Sequence, residues 1–331
     1  MSDSEDAHVG NMEGHGNGLP LGYNDANRAF LQALLSRGSV TFSEGQSILS
    51  AILSTTNPDR DPIPSDKITR DIFSKYVHTA HEALLPFDYD IRSTLHQRTR
   101  ERVWAIINVE SDPATQLATV HTPEEILYVN RLLDQMFDTH NTPRMEIMAV
   151  DENQALKVAR PSRSRGEDGA EEVQTQGGDK GLRASDVLTL LENLVAEGWL
   201  EKSRARFYSL SPRSLLELRN WLVETYNDDQ AEEGAWQPIK FCDFCKEIVT
   251  VGQRCDERDC VTRLHNICQE AYWEGREEKK CPKCETVWSG KQYVGERAVT
   301  GTEAYARGHR KSSGRSRRQR DEAEEDEDGE E

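Results

Sequence analysis

All seven cysteines of this 331-residue chain fall between positions 242 and 284, and His265 falls among them. In order the eight residues are Cys242, Cys245, Cys255, Cys260, His265, Cys268, Cys281 and Cys284, spaced C-x2-C-x9-C-x4-C-x4-H-x2-C-x12-C-x2-C. A disulfide framework is the rival reading, but seven is an odd number and no signal peptide pattern is present. Structural zinc takes four thiolate or imidazole ligands in a tetrahedron. Eight such residues therefore predict two closed zinc sites, with no open position for a catalytic water. So short a stretch holds only a tiny apolar core, and the two Zn2+ ions are expected to supply much of its folding energy.

The close pairs Cys242/Cys245, His265/Cys268 and Cys281/Cys284 each suit one ion, and Cys255/Cys260 form a looser fourth pair. In the interleaved arrangement of RING and PHD folds, pair one joins pair three and pair two joins pair four. That places Cys242, Cys245, His265 and Cys268 on one zinc and Cys255, Cys260, Cys281 and Cys284 on the other; a sequential pairing satisfies the same spacing. The ligand order is C4HC3, which PHD readers and RING variants share. A PHD finger usually carries an aromatic residue two positions before the seventh ligand, where this chain has Lys279. The Cys281-Pro282-Lys283-Cys284 knuckle is typical of RINGs that bind ubiquitin-conjugating enzymes. Phe244, Trp273 and Pro282 occupy the three positions that form the conjugating-enzyme groove there. Many active RINGs hold donor ubiquitin with Arg or Lys just after the eighth ligand, and here that residue is Glu285. No residue is expected to act covalently.

Upstream the apolar pattern sets out two further units. Ala26, Phe30, Leu31, Leu34 and Leu35 recur at helical spacing before Gly38, and Ile48, Leu49, Ile52 and Leu53 give a second face after a capping box at Ser43 and Gln46. A third helix is predicted from Ser65 to His78 or a little beyond. Residues 87–109 then alternate like a hairpin around the polar turn HQRTR, with Arg98, Arg100 and Arg102 at its tip. Three helices and a hairpin make a winged-helix pattern over 23–112. A second one is predicted over 120–228. It begins at Thr122-Pro123, has mixed strand or loop at 145–158, a helix N-capped by Ser185, a wing around EKSRAR, and a last helix from Ser211-Pro212. Residues 159–181, almost free of apolar side chains, read as a disordered insertion. The helix at 185–197 exposes Asp186, Glu192, Asn193 and Glu197, which suits a protein partner better than DNA; the arginine tips could still touch phosphate weakly. His78 and His81 are half a metal site at most.

The zinc unit spans 236–290. Residues 1–22, with His8 and His15, and 291–331 read as disordered tails. The second is basic first, with seven Lys or Arg over 307–320, then ends in eleven residues holding nine acids. The basic run suggests nuclear import. A net charge of −18 argues against the whole chain being an electrostatic DNA binder, and no apolar run approaches the length of a membrane span. The fold class is thus α+β and multidomain, with two winged helices before a two-zinc cross-brace RING variant.

That order is unusual. With NRAFLQALLSRG, TPEEILYVNRLLDQMF, GWLEKSRARFYSLSPRSLLELRNWL and CDFC…CDERDC…HNIC…CPKC, the chain resembles the non-SMC element one family over residues 24–290. This is the RING-variant subunit of the Smc five–six chromosome-maintenance complex. The resemblance implies a nuclear RING-type ubiquitin transferase in DNA repair and recombination. It also implies docking to a MAGE-type winged-helix subunit and a kleisin, with weak, partner-stimulated activity. A non-catalytic subunit using the zinc unit as an interaction surface is the alternative.

Overall fold

The computed structural model describes residues 20, 22–56, 61–108, 112–117, 120–161, 180–232 and 234–307. The stretch with His8 and His15, most of the expected insertion, and the basic run beyond Arg307 with the acidic residues after it lie outside these residues.

Helix α1 (Asp25–Arg37) opens on a capping box in which Asn24 and Asn27 each satisfy the other's backbone N–H. It stops at Gly38, whose backbone takes φ 71°. The short strand β1 (Ser39–Thr41) leads straight into α2 (Phe42–Thr56). The cap here is Thr41 with Glu44, two residues before the expected Ser43 and Gln46. Glu44 accepts from the Thr41 N–H at 2.8 Å, and the Gln46 side chain instead donates across to the Ile68 carbonyl. The third helix also starts later than predicted. Pro64 and a 3₁₀ turn at Ser65–Lys67 precede α3 (Arg70–Leu84), which Thr69 caps. Hairpin strands β2 (Tyr89–Leu95) and β3 (Arg102–Asn108) follow as expected, and β1 adds on the far side to give the antiparallel order β1-β3-β2. Phe30, Leu34, Leu49 and Phe73 are buried between helices and sheet. The Phe73 ring lies so close to α2 that a Cβ on Gly45 would sit 2.1 Å from it.

The second unit runs α4 (Pro113–Leu117), α5 (Pro123–Asp134), β4 (Val150–Asp151), α6 (Glu152–Lys157), α7 (Ala184–Ala196), β5 (Leu200–Lys202), β6 (Phe207–Leu210), α8 (Pro212–Glu217) and α9 (Arg219–Tyr226). α5 starts at Pro123, as the sequence predicts, and Thr122 and Glu125 add a capping box in front of it. Three local expectations differ. The mixed stretch at 145–158 supplies both β4 and α6. Arg183, not Ser185, is the cap residue of α7, and Ser185 bonds Asp186 inside the first turn. The last helix breaks at Leu218, whose backbone (φ −90°, ψ 8°) leaves the helical region. The sheet order is β4-β6-β5.

The cysteine-rich stretch folds around β7 (Gly252–Arg254), β8 (Arg263–His265) and α10 (Gln269–Trp273). The chain from Lys291 to Arg307 continues the fold where the sequence suggests a tail. Strand β9 (Tyr293–Val294) pairs with β7 to complete the sheet β8-β7-β9, and α11 (Arg297–Thr300) follows. Leu190, Leu191 and Leu222 of the second unit share one apolar core with Ile239, Val249, Leu264 and Trp273. The first unit keeps a core of its own. Among the described residues no helix is long and apolar enough to cross a membrane.

Candidate metal centre

The eight ligand candidates gather into two groups, Cys242, Cys245, His265, Cys268 and Cys255, Cys260, Cys281, Cys284. This is the interleaved pairing, and the sequential one is excluded. In each group the ligand atoms lie within 4.8 Å of one another. Zn–S bonds of about 2.3 Å put the sulfurs of a tetrahedron ~3.8 Å apart. Cys255 and Cys284 Sγ are 3.4 Å apart, and Cys260 and Cys281 Sγ 3.5 Å. His265 Nδ1 is 3.2 Å from Cys245 Sγ and 3.8 Å from Cys268 Sγ. The donor sets therefore fit two zinc ions, which would cross-link the stretch and leave no coordination position for chemistry. Elemental analysis of the purified chain should return two zinc ions per molecule; a value near one would remove the second group from the metal sites.

Local backbone explains why both knuckles work. Lys246 N–H donates to the Cys242 carbonyl and Glu285 N–H to the Cys281 carbonyl, at 2.9 and 3.0 Å. Each is the residue just past a C-x2-C pair, and each holds a left-handed backbone, φ 62° and 60°. The turn aims both sulfurs of the pair at one point. Around the sulfurs, the Thr262 hydroxyl lies 3.4 Å from Cys260 Sγ and 3.3 Å from Cys281 Sγ, and the Thr286 hydroxyl 3.4 Å from Cys284 Sγ. Each can donate to a thiolate. His265 Nε2–H donates to the Ile248 carbonyl at 3.1 Å, which leaves Nδ1 free to ligate. Hydrogen bonds from Cys245 and His265 lower the Cys242 thiol below its ordinary range, against the effect of burial.

Beneath the centres lies a charge cluster that sequence reading missed. Glu146, from the loop before β4, is buried and receives two hydrogen bonds from the Arg263 guanidinium, at 2.7 and 2.5 Å. Lys240 Nζ lies 3.3 Å and Arg254 Nη1 3.6 Å from the same carboxylate, and all three cations are buried. Burial pushes the Glu146 carboxyl up, but the Arg263 hydrogen bonds and the Arg263, Lys240 and Arg254 charges prevail and hold it at about 2. Burial, with repulsion from Arg263 and Arg254, holds Lys240 down at about 8 against the attraction of Glu146. One anion among three cations leaves two positive charges over. Carbonyls of Cys260 and Thr262 take Arg263, those of Pro143 and Arg258 take Arg254, and the Gln237 carbonyl and Trp236 ring take Lys240. Loaded with zinc, the thiolate centres would supply the compensating sign: three thiolates against a doubly charged ion would leave one negative charge, and four would leave two. The only trace of Glu146 in the sequence is a lone acid inside the apolar run Met145–Val150.

The remaining sequence candidates are spread out. Phe244 is 49% exposed and Pro282 is exposed, whereas Trp273 is 7% exposed and packs tilted against Trp288, with ring centroids 5.7 Å apart. The tip arginines of the first hairpin contact protein: Arg98 pairs with Glu296, Arg100 with Glu270, and Arg102 bonds Ser93. His81 pairs with Asp90 and His78 with Glu82, so the two do not converge. On α7, Asp186, Glu192 and Asn193 are exposed, and Glu197, just past its end, turns in to His121 at 2.9 Å.

Comparison with known proteins agrees with this architecture. The family model described as the Nse1 non-SMC component of the SMC5-6 complex matches residues 27–218, and that of a RING-like domain matches residues 242–284. The non-structural maintenance of chromosomes element 1 homolog of Homo sapiens is 21% identical over 264 residues, covering 80% of this chain and 84% of that protein. The element 1 protein of Schizosaccharomyces pombe is 23% identical over 223 residues, covering 66% and 78%. A chain solved as part of an Nse1-Nse3-Nse4 complex superposes with a TM-score of 0.59 at 20% identity, over 81% of this chain and 97% of that one, and so shares its fold.

Proposed function

The chain belongs to the Nse1 family of non-SMC components of the SMC5-6 complex, and we propose on that basis that it is a RING-type ubiquitin transferase subunit acting in the nucleus in DNA repair and recombination. The supporting observation is the surface of the zinc unit. Phe244 and Pro282, one inside each C-x2-C knuckle, are exposed, whereas Trp273 is buried and meets Phe244 through the Tyr272 ring between them. A charged conjugating enzyme would seat on the exposed pair. Catalysis would be by positioning: the chain forms no covalent intermediate and holds the thioester in a reactive conformer. The 23–112 and 120–228 units, read as winged helices, would dock a MAGE-type subunit and a kleisin. The similar solved chain, which comes from an Nse1-Nse3-Nse4 complex, supports such an assembly. The engaged arginine tip of the first hairpin argues against using that tip on DNA.

Ubiquitin chain synthesis with and without the MAGE-type partner tests the reading. Truncating an interface anchor typically costs ~2 kcal/mol or more, a factor of about thirty. Phe244→Ala should therefore lower partner-stimulated transfer at least tenfold while keeping both metals and the partner. Glu285→Arg should raise transfer by restoring a cation beside donor ubiquitin. A folded Phe244→Ala chain that transfers at the wild-type rate removes the groove assignment. Glu285 itself favours a second reading, a structural subunit whose zinc unit is only an interaction surface. Absence of transfer with every conjugating enzyme, partner present, would install that reading.

A further inference from the structure

Gln97 sits in the polar turn between β2 and β3, the kind of hairpin tip that ordinarily faces water. Here it is 9% exposed, because the tip is pressed onto the chain between the ligands Cys245 and Cys255. Both ends of its amide are engaged. Nε2 donates to the Ile248 carbonyl at 2.8 Å. Oε1 accepts from the N–H groups of Thr250 and Val251, at 3.0 and 2.8 Å, and from the Thr250 hydroxyl at 3.2 Å. The Ile248 carbonyl is also the acceptor that holds His265 Nε2–H. A carbonyl oxygen has two lone pairs, and these two donors take both. A side chain of the first unit and a metal ligand 168 positions later thus meet on one oxygen atom.

We infer that Gln97 is a positioning residue of the Cys242/Cys245/His265/Cys268 centre, acting through the Ile248 carbonyl and His265, so that metal affinity there depends on the first unit. The ring nitrogen that ligates is chosen by the bond the other nitrogen makes. Gln97 fixes the atom on which that choice rests. Among the described residues, the side-chain hydroxyls beside the sulfurs of the four-cysteine centre, Thr262 and Thr286, belong to the zinc unit itself. The inference is independent of ubiquitin transfer.

Removing an outer-shell partner of a metal ligand typically costs 10–100-fold in affinity. Gln97 lies one atom further out, and about tenfold is expected. The test loads the full chain with cadmium-113, whose chemical shift separates a centre of three sulfurs and one nitrogen from a centre of four sulfurs, and titrates it with a chelator. In Gln97→Ala the three-sulfur resonance should move and vanish at about tenfold lower chelator, while the four-sulfur resonance stays. Gln97→Glu keeps the acceptor for Thr250 and Val251 but lacks the donor to Ile248, and should lose the same centre selectively. Arg100→Ala, at the same tip but paired only with Glu270 at 3.4 Å, should behave as wild type. A merely structural role for Gln97 would loosen both centres together. That result, or an unmoved three-sulfur resonance in both Gln97 variants, overturns the assignment.

Discussion

Chelation of both metal ions should unfold more of the molecule than the stretch that binds them. Structural zinc contributes on the order of 10 kcal/mol per site in small peptides, as much as the whole stability of a typical domain. Without it, the side chains of Ile239, Val249, Leu264 and Trp273 have no fixed frame. Those side chains continue the core of Leu190, Leu191 and Leu222, so α7 and α9 lose one wall. The main core of the first unit, Phe30, Leu34, Leu49 and Phe73, is a separate cluster, and only Ala105 and Ile107 of β3 share a small one with Leu216 of α8. Hydrogen exchange on the chelated chain should thus show α7 and α9 deprotected to near the level of the zinc unit, with α1 and α3 still protected. Full protection of α7 after chelation would show that the shared core contributes nothing to the second unit.

The second large effect is expected at Glu146. Glu146→Ala leaves Arg263, Arg254 and Lys240 buried around a missing anion, and breaking a buried ion network by removing one partner costs about 3–5 kcal/mol. The urea midpoint of the zinc-loaded chain measures it. The pH dependence gives an independent reading. Because the folded-state value lies at about 2 against an ordinary 4.5, the contribution is complete above pH 4.5 and is lost as pH falls through about 2. The difference amounts to about 3 kcal/mol. Glu146→Gln cannot titrate, so its stability relative to wild type should improve by that amount as pH falls across the window. Lys240 works with the opposite sign: held down at about 8 from 10.5, it lowers stability while charged, and its cost fades as pH rises from 8 to 10.5. If Glu146→Gln and wild type keep a constant difference from pH 6 to pH 3, the carboxylate is not what holds the three cations.

The metal centres were legible in the sequence because tetrahedral ligation imposes spacing, and spacing is a local property. The helices and the first hairpin were legible for the same reason, through apolar period and turn chemistry. Caps were less so: Thr41 and Ser43 are both good capping residues, and only the end of β1 decides that Thr41 is used. Glu146 and Gln97 were illegible. Each is a polar residue in an ordinary local context, and each acquires its role from groups more than a hundred positions away. The same holds for the arginines at the hairpin tip, whose composition suggests phosphate and whose partners are carboxylates. The segment after Lys291 looked like a tail because two strand residues, Tyr293 and Val294, carry too little pattern to announce β9.

That short strand decides where the molecule can be cut. β7 lies in the middle of its sheet only because Gln253 pairs with Tyr293 and Gly252 with Val294. Gly295 then turns with φ 88°, its N–H on the Glu146 carbonyl at 2.7 Å, and Glu296 reaches Arg98. A fragment ending just after Cys284 would keep every metal ligand and still present one flank of β7 as a row of open N–H and C=O groups beside the apolar side chain of Val249. Such an edge is a template for pairing with another copy. Fragments stopped there should bind both ions and yet self-associate, whereas fragments carried to Arg307 should stay monodisperse. The boundary of the metal-binding unit is set by an aggregation-prone edge, ten residues beyond the point at which its last cysteine has done its work.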